Sequence, residues 1–188
     1  MMRKLGTLPK ELQIKGKRYE IRSDFRDCLR IQDAFADERL RHEEALECMR
    51  RILYPAWREM PPDHIEEAVR EGLNFLNAGR TQKEGKKSPL YSWEQDEQMI
   101  MASLAKVTGK DVRSMPYLHW WTFLGLFGEI TDGLFSQVTE IRRKLRDGEK
   151  LEKHERKFYR ENKALIEIRR KRSEAEQANI DRLNKILG

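Results

Sequence analysis

The side chains able to do chemistry are few and poorly grouped. His42-Glu43-Glu44-Ala45-Leu46 begins like the zinc motif H-E-x-x-H, in which two histidines four residues apart on one helical face hold the metal. Its fifth position is Leu46, so the second ligand is missing. The four histidines, His42, His64, His119 and His154, include no pair at ligand spacing, and Cys28 and Cys48 lie too far apart for a zinc knuckle. Both cysteines fall within apolar helical patterns, where they read as small buried hydrophobes in a reducing compartment rather than a disulfide or a metal site. Gly125-Leu126-Phe127-Gly128 is set among large apolar residues and has no Gly-Lys-Ser/Thr sequel, so it cannot cradle a phosphate. That glycine pair instead permits close helix contact or ends a helix at Gly128.

Two further groupings are incomplete. Glu94, Asp96 and Glu97 have the chemistry of a cation site, but carboxylates in a helix's first turn follow from the macrodipole alone. His119 beside Trp120 and Trp121 has the chemistry of a general base, yet no Ser, Cys or carboxylate near it in sequence completes a catalytic pair. An enzyme would need a pocket that brings His119 against the carboxylates of residues 94–97. The residues therefore predict a non-enzymatic protein with no cofactor, no metal and no catalytic side chain.

Charge is the other source of chemistry. The net charge is +6, and residues 142–188 carry 16 Lys and Arg against 9 Asp and Glu. The rest of the chain nearly cancels, so the basic excess belongs to the C-terminal segment and points to an acidic partner, protein or nucleic acid. Arg169, Arg170, Lys171 and Arg172 are four consecutive cations fit to contact phosphates, but Glu167, Glu174 and Glu176 flank them and no aromatic residue interleaves to stack on bases.

The elements that must position these residues are almost all helical. Across 188 residues, 38% are hydrophobic and 37% charged, against typical values of about 45–50% and about 25%. That skew favours long helices with solvated faces over a thick α/β core. Leu12 to Ile14 and Tyr19 to Ile21 alternate around Lys-Gly-Lys and predict a short β-hairpin. Helices follow over about 24–36, with an N-cap offered by Ser23-Asp24, and about 42–54, ended by Pro55. Asp63 with Glu66 has capping-box spacing and opens a third helix that ends near Gly79.

Residues 80–89 contain no apolar side chain and form the best linker. Ser92 and Gln95 make a capping box for a helix burying Trp93, Met99, Ile100, Leu104 and Val107, with Gly109 as its stop. Ser114 opens a helix, apolar nearly all round from Leu118 to Phe127, that should lie at the centre of the fold. A helix over about 132–145 carries Leu134, Phe135, Val138 and Ile141, and a turn at Asp147-Gly148-Glu149 leads to a helical stretch over about 151–187. Within it Leu151, Phe158 and Leu165 repeat every seven residues, Ser173 and Glu176 form a capping box where it would restart, and Ile180, Leu183, Ile186 and Leu187 make a narrow apolar stripe suited to docking. The predicted fold is mainly α: residues 1–79 hairpin plus helices, 80–90 linker, 91–146 helical core, and 147–188 a basic helical arm. The opening Met-Met-Arg-Lys-Leu-Gly lacks the roughly 7–15 apolar residues of a secretion signal, and no stretch approaches the roughly 20 needed to span a membrane.

The stretch Tyr91-Ser-Trp93-Glu-Gln-Asp96, with Ile100-Met-Ala102, Gly109-Lys-Asp111-Val112, Leu118-His119-Trp120-Trp121, Phe123 and Ile141-Arg142, resembles the bacteriophage Gp-fifteen family of long-tailed phages and prophages. Lys150-Leu-Glu-Lys with Phe158-Tyr159, and Pro62 to Ala68 with Phe75 to Gly79, are similar too, so the resemblance spans most of residues 10–165. It implies a role like that of tail assembly chaperones: binding the long tape-measure protein, with other tail assembly proteins as further partners, in the cytoplasm of the bacterial host before the tail tube closes. It implies no catalytic residue, and marks Trp93, Asp96, Leu118, His119, Trp120 and Trp121 as signature positions of structural type. The chain departs from the family in its basic extension after about residue 165. There Ile180, Leu183, Ile186 and Leu187, with Arg169 to Arg172, are the candidate partner-binding residues. The same stripe would serve self-association, and two alternatives stand beside the chaperone reading: a nucleic-acid-binding protein using the basic arm, and a structural tail component kept in the virion.

Overall fold

The computed structural model describes residues 6–79 and 88–168. Among them are one two-stranded antiparallel hairpin and eight α-helices, so the protein is mainly α, as its composition and periodicity predict. These residues form two compact units, one of residues 9–75 and one of residues 76–168 with 6–8.

In the first unit, β1 (Glu11–Ile14) pairs with β2 (Lys17–Glu20), Leu12 opposite Tyr19. Leu12, Ile14, Tyr19 and Ile21 are buried while Glu11, Gln13, Arg18 and Glu20 face water, the period of two expected of a strand with one packed face. The turn has two central residues, Lys15 at φ 49° and Gly16 at φ 79°, rather than the three of Lys-Gly-Lys; two positive φ values match the right-handed strand twist.

Helix α1 (Phe25–Ala36) starts where predicted, the Asp24 carboxylate accepting from the Arg26 N–H at 3.0 Å. Helix α2 (His42–Leu53) packs on α1 and opens with Glu44 reaching back to the Arg41 N–H. Helix α3 (Ile65–Leu76) is preceded by a 3-10 turn over Pro62–His64. Asp63 lies inside that turn rather than at a cap, because the Pro61-Pro62 pair starts the winding earlier. Tyr54 carries its hydroxyl into the core, donating to Ala68 O at 2.7 Å, and Gly72 lets Met49 and Leu53 come close, since a β-carbon there would stand 3.0 Å from Leu53.

In the second unit, helix α4 (Glu97–Thr108) begins four residues later than Ser92 and Gln95 predict. Residues 93–96 form a separate turn, with Gln95 N–H donating to Ser92 Oγ at 3.2 Å and Asp96, in place of Gln95, accepting from Ser92 N–H at 3.0 Å. Gly109 ends α4 at φ 74°, as predicted. Val107 is exposed, not buried. A 3-10 turn over Val112–Ser114, capped by Asp111, absorbs the residues expected to open the next helix. Helix α5 (Trp120–Gly128) therefore starts at Trp120, and its burial is one-sided: Trp120 and Phe123 face the core, while Thr122, Gly125 and Gly128 are exposed.

Helix α6 (Gly133–Asp147) buries Phe135, Val138, Ile141 and Arg142 and leaves Leu134 exposed, a correction to the expected apolar face. Gly148 stops it at φ 72°. Helices α7 (Lys153–Glu161) and α8 (Lys163–Ile166) replace the start of the long helix expected from residue 151. The heptad of Leu151, Phe158 and Leu165 breaks at Asn162, whose side chain donates to Phe158 O at 3.0 Å, a local bond that competes with continued winding. Among the described residues no helix is long and apolar enough to cross a membrane.

Candidate functional site

The densest polar arrangement lies within the second unit, where apolar residues would be expected. On α6, Arg142 follows Phe135 and Val138 at helical spacings of seven and four, which puts it on the buried stripe. A guanidinium there must fill all five of its N–H donors or lose heavily in free energy. It fills them all. Nη1 donates to Asp96 Oδ2 at 2.5 Å and Leu90 O at 3.0 Å, Nη2 to Asp96 Oδ1 at 3.0 Å and Leu165 O at 2.9 Å, and Nε to Ile166 O at 2.6 Å. Asp96 is 0% exposed and Arg142 6%. The bidentate fork pairs the charges, and three carbonyls take the remaining donors. One side chain thus ties α6 to residue 90, to the turn before α4 and to the end of α8; Gln95 adds a bond from Nε2 to Glu167 O at 2.9 Å.

The Leu118-His119-Trp120-Trp121 stretch leads into the start of α5. His119 is buried and caps α5, its Nδ1 accepting from Trp121 N–H at 3.1 Å. That bond uses one of the two ring nitrogens. Trp120 is 1% exposed, donates Nε1–H to Leu76 O at 2.8 Å and stacks on Phe123 at 5.6 Å. Leu118 is buried, and Trp121 is half-buried, its ring edge-on to His119 at 6.0 Å. Trp93 is half-buried and packs against Trp120, Phe123, Phe127 and Tyr91. The structure thus brings Trp93 and Trp120 together in one aromatic cluster, sets Asp96 in the clamp, and leaves Glu94 and Glu97 exposed.

His42 and His154 are exposed, and His64 bonds through Nδ1 to the Tyr19 hydroxyl at 2.9 Å. Cys28 is buried and its thiol is pushed up by burial, then by Asp27 and Asp24; Cys48 is half-buried, and both are free. Among the described residues no three His, Cys, Asp or Glu side chains are grouped to hold a metal ion.

Of the ten Lys and Arg in residues 142–168, six are in ion pairs among the described residues. Besides the Arg142–Asp96 pair, Arg143 is held by Glu140 and Glu149, each of which raises its pKa, and Lys144 and Glu155 pair at 2.6 Å, raising the ammonium and lowering the carboxyl. Arg146 pairs with Asp147, Lys157 with Glu161, and Lys163 with Glu167. The candidate partner-binding residues Arg169, Arg170, Lys171, Arg172, Ile180, Leu183, Ile186 and Leu187 lie outside the described residues.

Sequence reasoning did not single out Arg142 as a site. The available signal was a lone cation on an apolar stripe, which needs a buried acid, and Asp96 is such an acid.

A mainly α protein with a terminal hairpin, whose buried polar centre fastens chain segments together, is the class that fold and site define. The chain belongs to the family described as Bacteriophage Gp15 protein, whose model matches residues 6–168. Neither a curated protein nor a solved structure matches it.

Proposed function

We propose that this phage protein is a non-enzymatic tail assembly chaperone that binds the tape-measure protein in the host cytoplasm during tail morphogenesis. Membership of the family over residues 6–168 carries the reading. The state of the chemically able residues supports it: His119 caps a helix, Asp96 is held by Arg142, and His42 and Glu43 are exposed on a helix without a second histidine. The surface of α5 supports it as well. Trp121 and Leu124 are only half-buried, and Leu124, Gly125 and Gly128 follow Trp121 by three, four and seven residues, a face on which an amphipathic helix can lie. A tape measure is a long helix with apolar stripes, so its chemistry fits.

The test is co-expression with the tape-measure protein. The expected result is a soluble tape measure and a complex that co-purifies; a tape measure that stays insoluble with no association removes the reading. Salt-sensitive DNA binding, lost on deleting residues 166–188, would favour the nucleic-acid alternative. Detection of the protein in purified virions by mass spectrometry would favour a retained tail component.

A further inference from the structure

We infer that the C-terminal end of α2 and the turn after it form a docking surface for an acidic segment of a partner protein, received by the guanidinium groups of Arg51 and Arg58 around Trp57. The inference concerns the first unit and is independent of the proposed function.

Trp57 opens a 3-10 turn over Trp57–Glu59 and is half-buried. Three guanidinium carbons stand over its ring, those of Arg50 at 5.3 Å, Arg51 at 4.8 Å and Arg58 at 5.0 Å from the centroid. Arg50 is the buried member and is committed: it forks onto the Glu47 carboxylate with two bonds of 2.7 Å and donates to Trp57 O at 2.9 Å, fixing the turn. Arg51 is exposed and shares Glu47 through Nε alone, at 2.6 Å, so its outer nitrogens have no partner among the described residues. Arg58 is exposed and has no carboxylate partner among them. At the same helix end Arg22 donates to Ile52 O at 2.8 Å, again with no carboxylate. Four guanidiniums thus lie at this helix end and its turn, where Glu47 pairs with Arg50 and Arg51 and Glu59 is exposed beside Arg58 in the chain.

A helix C-terminus attracts cations through its dipole and its orphan carbonyls, which accounts for Arg22, Arg50 and Arg51. It does not account for Arg58, which lies beyond the helix and adds its charge to a ring that two other cations already face. A planar fork with open donors is the group that receives a carboxylate in two parallel bonds, and the Arg50–Glu47 pair displays that fit a few ångströms away.

The occupant is a short acidic protein segment rather than nucleic acid for two reasons. Guanidiniums already stand over the indole, so a base has to compete with them to stack on it. Residues 9–75 carry 13 Lys and Arg against 15 Asp and Glu, so the surface beyond the patch repels a long polyanion but tolerates a compact one.

The test uses the full chain, with fluorescein-labelled hexaglutamate as probe and hexaglutamine and oligothymidylate as controls. The Trp57 indole N–H signal, assigned with Trp57→Phe, is followed by NMR while anisotropy gives affinity. Hexaglutamate is expected to move that signal saturably and hexaglutamine not to. Arg51→Gln/Arg58→Gln should weaken binding on the order of tenfold or more. Both side chains are exposed, and an unchanged amide spectrum checks the fold; Arg58→Gln alone is the second variant and should weaken binding severalfold. Replacing Arg169, Arg170, Lys171 and Arg172 by Gln separates the tail's own attraction for the probe and should leave the Trp57 shift intact. An unmoved Trp57 signal, wild-type affinity in both arginine variants, or an oligothymidylate that acts at lower concentration than hexaglutamate would each overturn the proposal.

Discussion

Arg142 shows how much a single side chain can be asked to hold. Its removal leaves Asp96 buried with, among the described residues, only the Ser92 N–H to receive its carboxyl, and frees the carbonyls of Leu90, Leu165 and Ile166. Breaking one partner of such a pair typically costs about 3–5 kcal/mol. Arg142→Gln and Asp96→Asn should each destabilise the protein on that scale in urea unfolding, and the double variant should cost clearly less than their sum, since each change alone strands the other group. Additive losses would mean that the two residues act separately.

Tyr54 belongs to the same scale. Burial, and then Glu71, pushes its phenol above the ordinary range. The folded state therefore holds the proton more tightly than the unfolded one, so the contribution is complete below the ordinary phenol value and declines as pH rises past it. The stability difference between wild type and Tyr54→Phe should be flat at neutral pH, at about 1 kcal/mol for the lost bond to Ala68, and should shrink in alkaline solution. Thiol labelling offers a further check. Native protein should take up label at half-buried Cys48, with Cys28 reacting only on unfolding.

At the scale of elements, the legible features were those whose cause is local. Asp24 caps α1 with its own side chain, and Gly109 and Gly148 end helices because each adopts a positive φ, so types and spacing sufficed to place them. The start of α4 was misplaced because its cause is 46 residues away: Arg142 recruits Asp96, and Asp96 rather than Gln95 then closes on Ser92. The break at Asn162 was hidden likewise, since a heptad pattern reports which face is apolar and not whether the winding continues.

Two element-scale predictions follow from backbone geometry. Lys15 holds φ 49° without being glycine, so Lys15→Asn, the residue that type I′ turns favour there, should raise stability by about 0.5–1 kcal/mol, read as a higher midpoint of thermal unfolding. Gly125 is helical, and a β-carbon added to it meets nothing within 4 Å. Gly125→Ala should therefore stabilise α5 by roughly 0.5–1 kcal/mol, and a loss of stability instead would reveal a close neighbour.

For the whole molecule, the family match and the clamp reach the same stretch of chain. The match runs to residue 168, and the last segments the clamp holds are Leu165, Ile166 and Glu167. A chain ending at Ile168 should unfold at clearly higher urea than one ending at Asn162, which lacks the buried Ile166 and two acceptors of a buried cation. Equal midpoints for the two would show that α8 contributes nothing to the fold.

The position of those acceptors also bears on the order of events at the ribosome. Arg142 leaves the exit tunnel before residues 165–167 do, so for that interval the nascent chain carries a guanidinium on its apolar stripe with Asp96 available but two carbonyl seats unfilled. The second unit cannot close during that interval without burying unpaired donors. A nascent chain arrested before residues 165 and 166 have emerged is therefore expected to be cut by protease in this unit more readily than the released chain.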